Sequence, residues 1–350
     1  MRVLVIGGTH FIGPHVVTML HQQGHEVTVY HRGLHESQLP SGIRHVHDPQ
    51  AAIPVLHFPS SLSDPPLDVV IHMFPVGEDD TKAAIARFTG VTRRIVALSS
   101  GDVYLAYGRL LGTEPGPPQP VPLDEDAPLR KVLFPYRHIA AGPADWMYHY
   151  EKILAERALL GGRLPATVLR LPAVYGPSDP YRRLRPFIKR IADRRPAILL
   201  EAAQAAWRWT HGYVEDVALA IASVAVDDHA VGKVYNLGEA NAPTMAERVQ
   251  RIGQLMDWSG NMIPLSREEL PQHLHAPYQP RQHLVLDTRR IRTELRFDER
   301  VPAEEALRRT IVWEGANPPE SGDPGSEEYA AEDAALSSMG GHVGLEEPHS

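Results

Sequence analysis

The sequence predicts an α/β fold, a doubly wound parallel sheet with a smaller C-terminal lobe, on three observations. Residues 3–6 are consecutive aliphatic residues, the pattern of a strand buried on both faces, and they run straight into Gly7, Gly8 and Gly13. Apolar strand-like runs then alternate with helix-like segments, which implies right-handed crossovers and parallel strands. Helix-like segments over 244–256 and 303–313, with the chain between them, are then expected to form a lobe over the carboxyl ends of the strands.

Composition sets the outer limits. The chain has 350 residues, 43% hydrophobic and 22% charged, and so buries a sizeable core. Its net charge of -8 argues against a nucleic-acid partner, because nonspecific affinity for phosphate backbones rests on excess Lys and Arg. Without an apolar run of about 18 residues or a signal peptide, a cytoplasmic protein with no membrane contact is expected. The absence of cysteine removes disulfides, thiolate catalysis and zinc-thiolate sites. Nineteen histidines invite a metal reading, yet His21/His25, His45/His47 and His273/His275 lack a carboxylate in a known ligand pattern. No metal is expected.

The first strand, the glycine turn and a helix over 14–23 occur in the order a dinucleotide site requires. Glycines allow the tight turn and a close approach of backbone N–H groups to a pyrophosphate, while the helix directs its positive end at the same anion. Gly7, Gly8, Thr9, His10, Phe11, Ile12 and Gly13 form this candidate cradle, with His10 where the spacing usually has its middle glycine. A second strand over 26–30 ends at His31 and Arg32 rather than at an acidic residue. A guanidinium suits a 2′-phosphate, so NADP is favoured over NAD. Short strands over 43–47, ending at Asp48 as a partner for the adenine edge, and over 67–73, ending at Met73, extend the site. A fifth strand over 95–100 adds Ser99 and Ser100, followed by Gly101 and Asp102.

Tyr148 and Lys152 lie in a stretch of helical character running to about residue 160, and on a helix positions four apart share one face. The pairing has a chemical use: a neighbouring ammonium stabilises a phenolate, and with it a phenol becomes a usable acid/base near neutral pH.

Taken together, the motifs GGTHFIG, SSGDVY, Tyr148/Lys152, LRLPAVYGP, HGYVEDVA and KVYNLG resemble the short-chain dehydrogenase/reductases in their extended form, over about residues 1–314. That resemblance implies a Rossmann-type core and NAD(P)-dependent epimerase or dehydratase chemistry on a sugar-like or nucleotide-sugar substrate. It makes Tyr148 the acid/base, Lys152 the holder of the nicotinamide ribose and Ser100 the partner of the reacting oxygen. A strand over 167–171 then leads Pro172 and Val174 past the nicotinamide, and Arg183, Arg208 and Arg281 become substrate-binding candidates. A homodimer is also implied. His10 resembles the corresponding bulky residue of an atypical branch near the chloroplast stem-loop RNA-binding proteins.

Departures from the family pattern keep other readings open. Ala173 stands where nucleotide-sugar enzymes often have an asparagine, and the frame Ser100-Gly101-Asp102 retains one of the two carboxyls a sugar dehydratase uses. Asp102 therefore remains a candidate base beside a carbonyl. An NADPH-dependent ketoreductase for a non-sugar metabolite, or a non-catalytic cofactor- or RNA-binding protein, are the alternatives. The proline-rich insertion over 105–135 reads equally as a substrate lid or a solvent-facing decoration. The basic stretch over 182–195 reads as a solvated face more readily than as an anion site.

The domain reading assigns 1–177 to the cofactor core with its insertion, 178–206 to part of a substrate lobe, and 207–238 to the core again. Helices over 214–226, 244–256 and 303–313 and a short strand over 233–237 follow from periodicity, with 239–314 completing the lobe. Residues 315–350, rich in Pro, Gly, Ser and Glu, read as a disordered acidic tail.

Overall fold

A computed structural model describes residues 1–341. The chain begins β1 (Arg2–Ile6), α1 (Ile12–Gln22), β2 (Glu26–His31), β3 (Arg44–His47), β4 (Val69–His72), α2 (Glu78–Phe88) and β5 (Arg94–Ser100). It continues with α3 (Leu105–Leu110) at the start of the insertion, then α4 (Trp146–His149) and α5 (Lys152–Leu160) beyond it, into β6 (Ala166–Leu171) and β7 (Ala173–Tyr175). Then come α6 (Arg185–Ala192), β8 (Ala197–Glu201), α7 (Ala202–Ala205), β9 (His211–Tyr213), α8 (Val214–Val226) and β10 (Val234–Asn236). The remainder is α9 (Met245–Leu255), β11 (Asn261–Leu265), α10 (Arg289–Leu295), α11 (Ala303–Ala316) and α12 (Ser326–Gly341).

Seven strands form one sheet in the order β10-β6-β5-β4-β1-β2-β3, and each neighbouring pair runs parallel. Side chains alternate across a strand, so β1 serves two cores at once. Val3 and Val5 join the core under α1 and α8, while Leu4 and Ile6 join the one that holds Phe88 of α2 and Leu159 of α5. This explains why residues 3–6 are all apolar rather than alternating. The order reverses between β1 and β4, and there the carboxyl ends of the strands open the crevice in which doubly wound sheets bind ligands. Two small parallel pairs, β7 with β9 and β8 with β11, sit outside the main sheet. Among the described residues, no helix is long and apolar enough to cross a membrane.

The C-terminal reading needs correction. Through residue 341 the acidic segment is ordered, because its charges meet the basic stretch of the sequence, which is neither a solvated face nor an anion site. Asp323 pairs with Arg185 at 2.5 Å, Glu332 with Arg190 at 2.6 Å, and Asp333 with Arg195. Arg182 turns to Glu314 of α11 at 2.7 Å. Ala335, Leu336 and Met339 of α12 then pack with Leu199 and Leu265 of the β8–β11 pair and with Leu270 beyond it. Residues 342–350 of the expected tail lie outside the described residues.

Glu332 is fully buried and also holds His273 at 3.1 Å, so deleting its carboxylate strands Arg190. Losing one partner of a buried pair costs about 3–5 kcal/mol. Glu332→Ala is expected to undock α12, opening the 321–341 segment to limited proteolysis while the sheet stays protected. Equal resistance in variant and parent would show that the acid pairs do not hold it.

Candidate active site

The turn after β1 is built for close approach. Gly7 and Gly8 have φ of 80° and 131°, conformations that side chains rarely adopt, and a Cβ on Gly13 would lie 2.4 Å from the Cα of Gly8. Helix α1 therefore packs directly on the turn, and no side chain caps its amino end, which points toward the space an anion would take. A cavity of about 720 Å³ opens above it. Its wall includes Gly7 through Gly13, His31, Arg32, Met73, Ser99, Ser100, Lys152, Pro172, Val174 and Arg183. The strand ends of β1, β2, β4, β5 and β6 thus converge on one site of the size small ligands and cofactors occupy. Buried His72 also faces it with both ring nitrogens unpartnered, kept neutral by burial and by the charge of Lys152, which push its pKa down to about 3.

These features fit a dinucleotide. The glycine cradle and the amino end of α1 would hold its pyrophosphate, and the end of β2 its adenosine ribose. Lys152 and the strand ends would hold its nicotinamide half. Arg32 forms no hydrogen bond or ion pair among the described residues and stands at the end of β2. His10 is exposed at the rim, its ring 5.8 Å from that of His35. Asp48 is not in the cavity wall; its carboxylate accepts the Tyr30 hydroxyl at 2.8 Å and the Gln50 N–H at 3.3 Å.

The helical face expected for the tyrosine and lysine also needs correction. Tyr148 and Lys152 do not share a helical face, because the helix breaks between them: α4 ends at His149 and α5 begins at Lys152. Glu151 has an extended backbone, with φ -156° and ψ 95°. Its N–H donates to the Val76 carbonyl at 2.9 Å, and its carboxylate caps α5 by accepting the Ile153 N–H at 2.9 Å. The same carboxylate pairs with Arg130 at 3.2 Å, both side chains being almost wholly buried. Tyr148 lies outside the cavity wall, its ring 4.6 Å from the Arg137 guanidinium.

Tyr150 takes the interior place instead. Its hydroxyl donates to Asp102 Oδ2 at 2.8 Å, and the Ser100 hydroxyl bonds the same phenol. Burial first, and then the Asp102 charge, raise the Tyr150 pKa well above the usual phenol value, so it is a neutral hydroxyl across the working pH range. Burial also raises the Asp102 carboxyl, against the pull of Arg130 and of the Tyr150 hydrogen bond. Asp102 Oδ2 takes a second phenol, Tyr136, at 3.2 Å, and Tyr136 is bonded in turn to Tyr107 at 2.8 Å. Oδ1 is buried without a partner. Lys152 donates to the carbonyls of Pro75 at 2.6 Å and Leu98 at 3.0 Å, which leaves one of its three protons for a ligand. Burial lowers its pKa to about 8, opposed by Asp102, Asp80 and Glu156.

Sequence reasoning missed Tyr150, Tyr107, Tyr136, Arg130 and Glu151. A usable signal was present in the doubled tyrosines of Tyr148-His149-Tyr150, which offer two candidates for one place. The insertion that carries Tyr107 and Arg130 is neither exposed decoration nor detached: Arg130 is buried, and its Nε donates to the Asp102 carbonyl. The three substrate arginines are not brought together. Arg183 stays in the cavity wall, bonded to the Val174 carbonyl at 3.0 Å and to Asp179 at 2.8 Å. Arg208 lines a second cavity of about 600 Å³ with Glu239 and Arg251, and Arg281 is exposed and lines neither.

Comparison with known proteins agrees with this architecture. The model of the NAD dependent epimerase/dehydratase family matches residues 3–238. A UDP-N-acetyl-alpha-D-glucosaminuronate decarboxylase of Bacillus cytotoxicus is 25% identical over 336 residues, 89% of this chain and 97% of the relative. A 2'-dehydrokanamycin reductase of Streptomyces kanamyceticus is 24% identical over 286 residues, 78% of this chain and 72% of the relative. Among solved structures, the UDP-glucose 4-epimerase of Thermotoga maritima, with UDP-glucose, superposes with a TM-score of 0.63 at 18% identity, covering 90% of this chain and 99% of that one. The dTDP-glucose 4,6-dehydratase of Bacillus anthracis, in complex with NAD, gives a TM-score of 0.64 at 18% identity over 91% of this chain and 97% of that one. With its glycine cradle, its parallel sheet and a family match spanning two thirds of its length, the chain belongs to the NAD dependent epimerase/dehydratase family of enzymes.

Proposed function

We propose that this enzyme oxidises and re-reduces a carbinol carbon of a nucleotide-sugar, with Tyr150, Ser100, Asp102 and Lys152 as its chemical centre. The observation that carries the reading is the Tyr150 hydroxyl, held at 2.8 Å from a buried carboxylate beside the cofactor cavity. The UDP-sugar names of a relative and of structural neighbours support the substrate class. A bound nicotinamide supplies the hydride acceptor and donor.

The protein's own part is proton transfer. A phenol with a raised pKa is a poor base alone, but Tyr150 has a carboxylate behind it. As the substrate hydroxyl gives its proton to the Tyr150 oxygen, the Tyr150 proton moves to Asp102 Oδ2, and no buried phenolate forms. The raised affinity of Asp102 for a proton suits it to receive one. Ser100 donates to the same phenol and orients it, and Lys152 keeps its third proton for a ligand hydroxyl. Re-reduction runs the same transfers backwards, which is all that an epimerase requires.

Arg32 favours a second reading, a reductase that draws on NADP(H). Its unpaired guanidinium at the end of β2 suits a 2′-phosphate. Arg32→Ala is expected to weaken NADP by about 10–100-fold, the scale of a lost charge-assisted hydrogen bond, and to leave NAD unchanged. Equal effects on the two would remove the NADP preference.

The tyrosine assignment is tested by a pair of variants assayed on UDP-glucose and UDP-glucuronic acid by chromatographic separation of substrate and product sugar nucleotides. Tyr150→Phe is expected to lose about 10²–10⁴-fold in turnover with cofactor affinity retained, the usual scale of a lost acid/base. Tyr148→Phe is expected to remain active. The reverse pattern would return the role to Tyr148.

Lys152 gives a pH signature. Turnover is expected to fall as pH rises through about 8, where Lys152 loses its proton in the folded chain. The unfolded chain holds that proton up to its ordinary value of about 10.4, so it binds more protons over this interval and the Lys152 contribution to stability rises. A turnover decline that tracks a falling melting temperature would point to unfolding instead.

A further inference from the structure

The cluster with the most to say outside the catalytic centre lies at the edge of the sheet. Strands β2 and β3 pair with His31 opposite His47, and His45 lies two residues before His47, so the three imidazoles share one face. The loop after β2 returns Glu36 over them. One ligand atom from each of His31, Glu36, His45 and His47 lies within 4.8 Å of all the others. His31 Nε2 is 3.0 Å from His45 Nδ1, His47 Nε2 is 3.0 Å from Glu36 Oε1, and His45 Nδ1 is 3.8 Å from Glu36 Oε2.

We propose that His31, Glu36, His45 and His47 bind a divalent transition metal of the zinc class. A tetrahedral ion with nitrogen and oxygen ligands at about 2.0–2.1 Å sets its donors about 3.3–3.4 Å apart, within the range of the measured separations. Three imidazoles with one carboxylate suit zinc, and this donor set is too rich in nitrogen for magnesium or calcium. The ligands carry one negative charge when the imidazoles are neutral. Without an ion, the contact between His31 and His45 holds a proton between two ring nitrogens. That proton sits on His31 Nε2, because its Nδ1 accepts the Gly33 N–H at 3.3 Å. Loading through Nε2 shifts that proton to Nδ1 of the same ring and gives up that long bond.

The site has a structural consequence for the cofactor cavity. β3 is the four-residue edge strand of the sheet, and His31, Arg32, Gly33, Leu34 and His35 line the cavity. An ion on this face ties the edge strand to the loop that forms one wall.

The test uses the full chain, dialysed against chelator and titrated with zinc. One zinc per chain is expected to survive gel filtration, to raise the melting temperature and to be absent from His45→Ala/His47→Ala. Cobalt in place of zinc is expected to give the intense visible absorption of a four-coordinate site. Glu36 is exposed, so Glu36→Gln keeps the fold intact should the double variant fail to fold. It is expected to weaken zinc by at least the about 10-fold that a lost supporting ligand costs. A parent chain that retains no zinc, or a folded double variant or Glu36→Gln that binds it as the parent does, would overturn the proposal. So would the faint spectrum of six-coordinate cobalt.

Discussion

The active-site half of the molecule depends on the ion pair of Arg130 with Glu151. Its side chains are 1% and 0% exposed, and breaking such a pair from one side costs about 3–5 kcal/mol because the remaining charge stays buried. Geometry follows from it. Glu151 is at once the partner of Arg130, the amino cap of α5 and the acceptor of the Phe134 N–H, so it fixes where the helix starts and how the insertion returns to the core. With α5 starting at Lys152, the chain before it is extended, and Tyr150 points inward at Asp102. Gly77 makes the passage possible, since a Cβ there would stand 2.7 Å from the His149 carbonyl oxygen.

A second buried pair steadies the other side of the same helix. Glu156 accepts Arg170 of β6 through both of its oxygens, at 3.0 and 2.7 Å, and also takes the Ser99 hydroxyl at 2.5 Å. Arg170 reaches on to the Tyr104 hydroxyl at 3.0 Å and to the Glu125 carbonyl of the insertion at 2.8 Å. Lys152 is therefore held between two fully compensated pairs, in a place where an uncompensated ammonium would be hard to keep charged. Its depressed but still near-neutral pKa reflects that balance of burial against three carboxylates.

What the sequence made legible follows from what is local. The consecutive apolar residues 3–6, the glycines after them and the periodicity of residues 214–226 are set by neighbours within a few positions, and each forms the element its pattern implies. The cavity at the strand ends was readable for the same reason: strand ends in a parallel sheet converge whatever the loops do. Tyr150 was hidden because the helix break depends on Arg130, twenty-one residues away, and no periodicity encodes a distant guanidinium. The acidic tail was misread for a related reason. Its composition is that of a disordered segment, but composition does not register that residues 182–195 carry the complementary charge.

The insertion gains a meaning from Asp102. A carboxylate beside a tyrosine in open water would keep an ordinary pKa and be a weak proton acceptor. The insertion and the residue that follows it surround this one with Tyr107 and Tyr136 and cover it with the Arg130 side chain, which bonds the Asp102 backbone rather than its carboxylate. The carboxyl is left desolvated, with one oxygen between two phenols and the other unpartnered, and burial shifts it toward its protonated form. In the proposed mechanism this brings Asp102 closer in proton affinity to the groups it would exchange with, and would make transfer through Tyr150 less uphill. The extra chain between β5 and α5 is in this reading part of the acid/base apparatus, and Arg130 serves both halves of it: it seats the tyrosine through Glu151 and closes the pocket over Asp102.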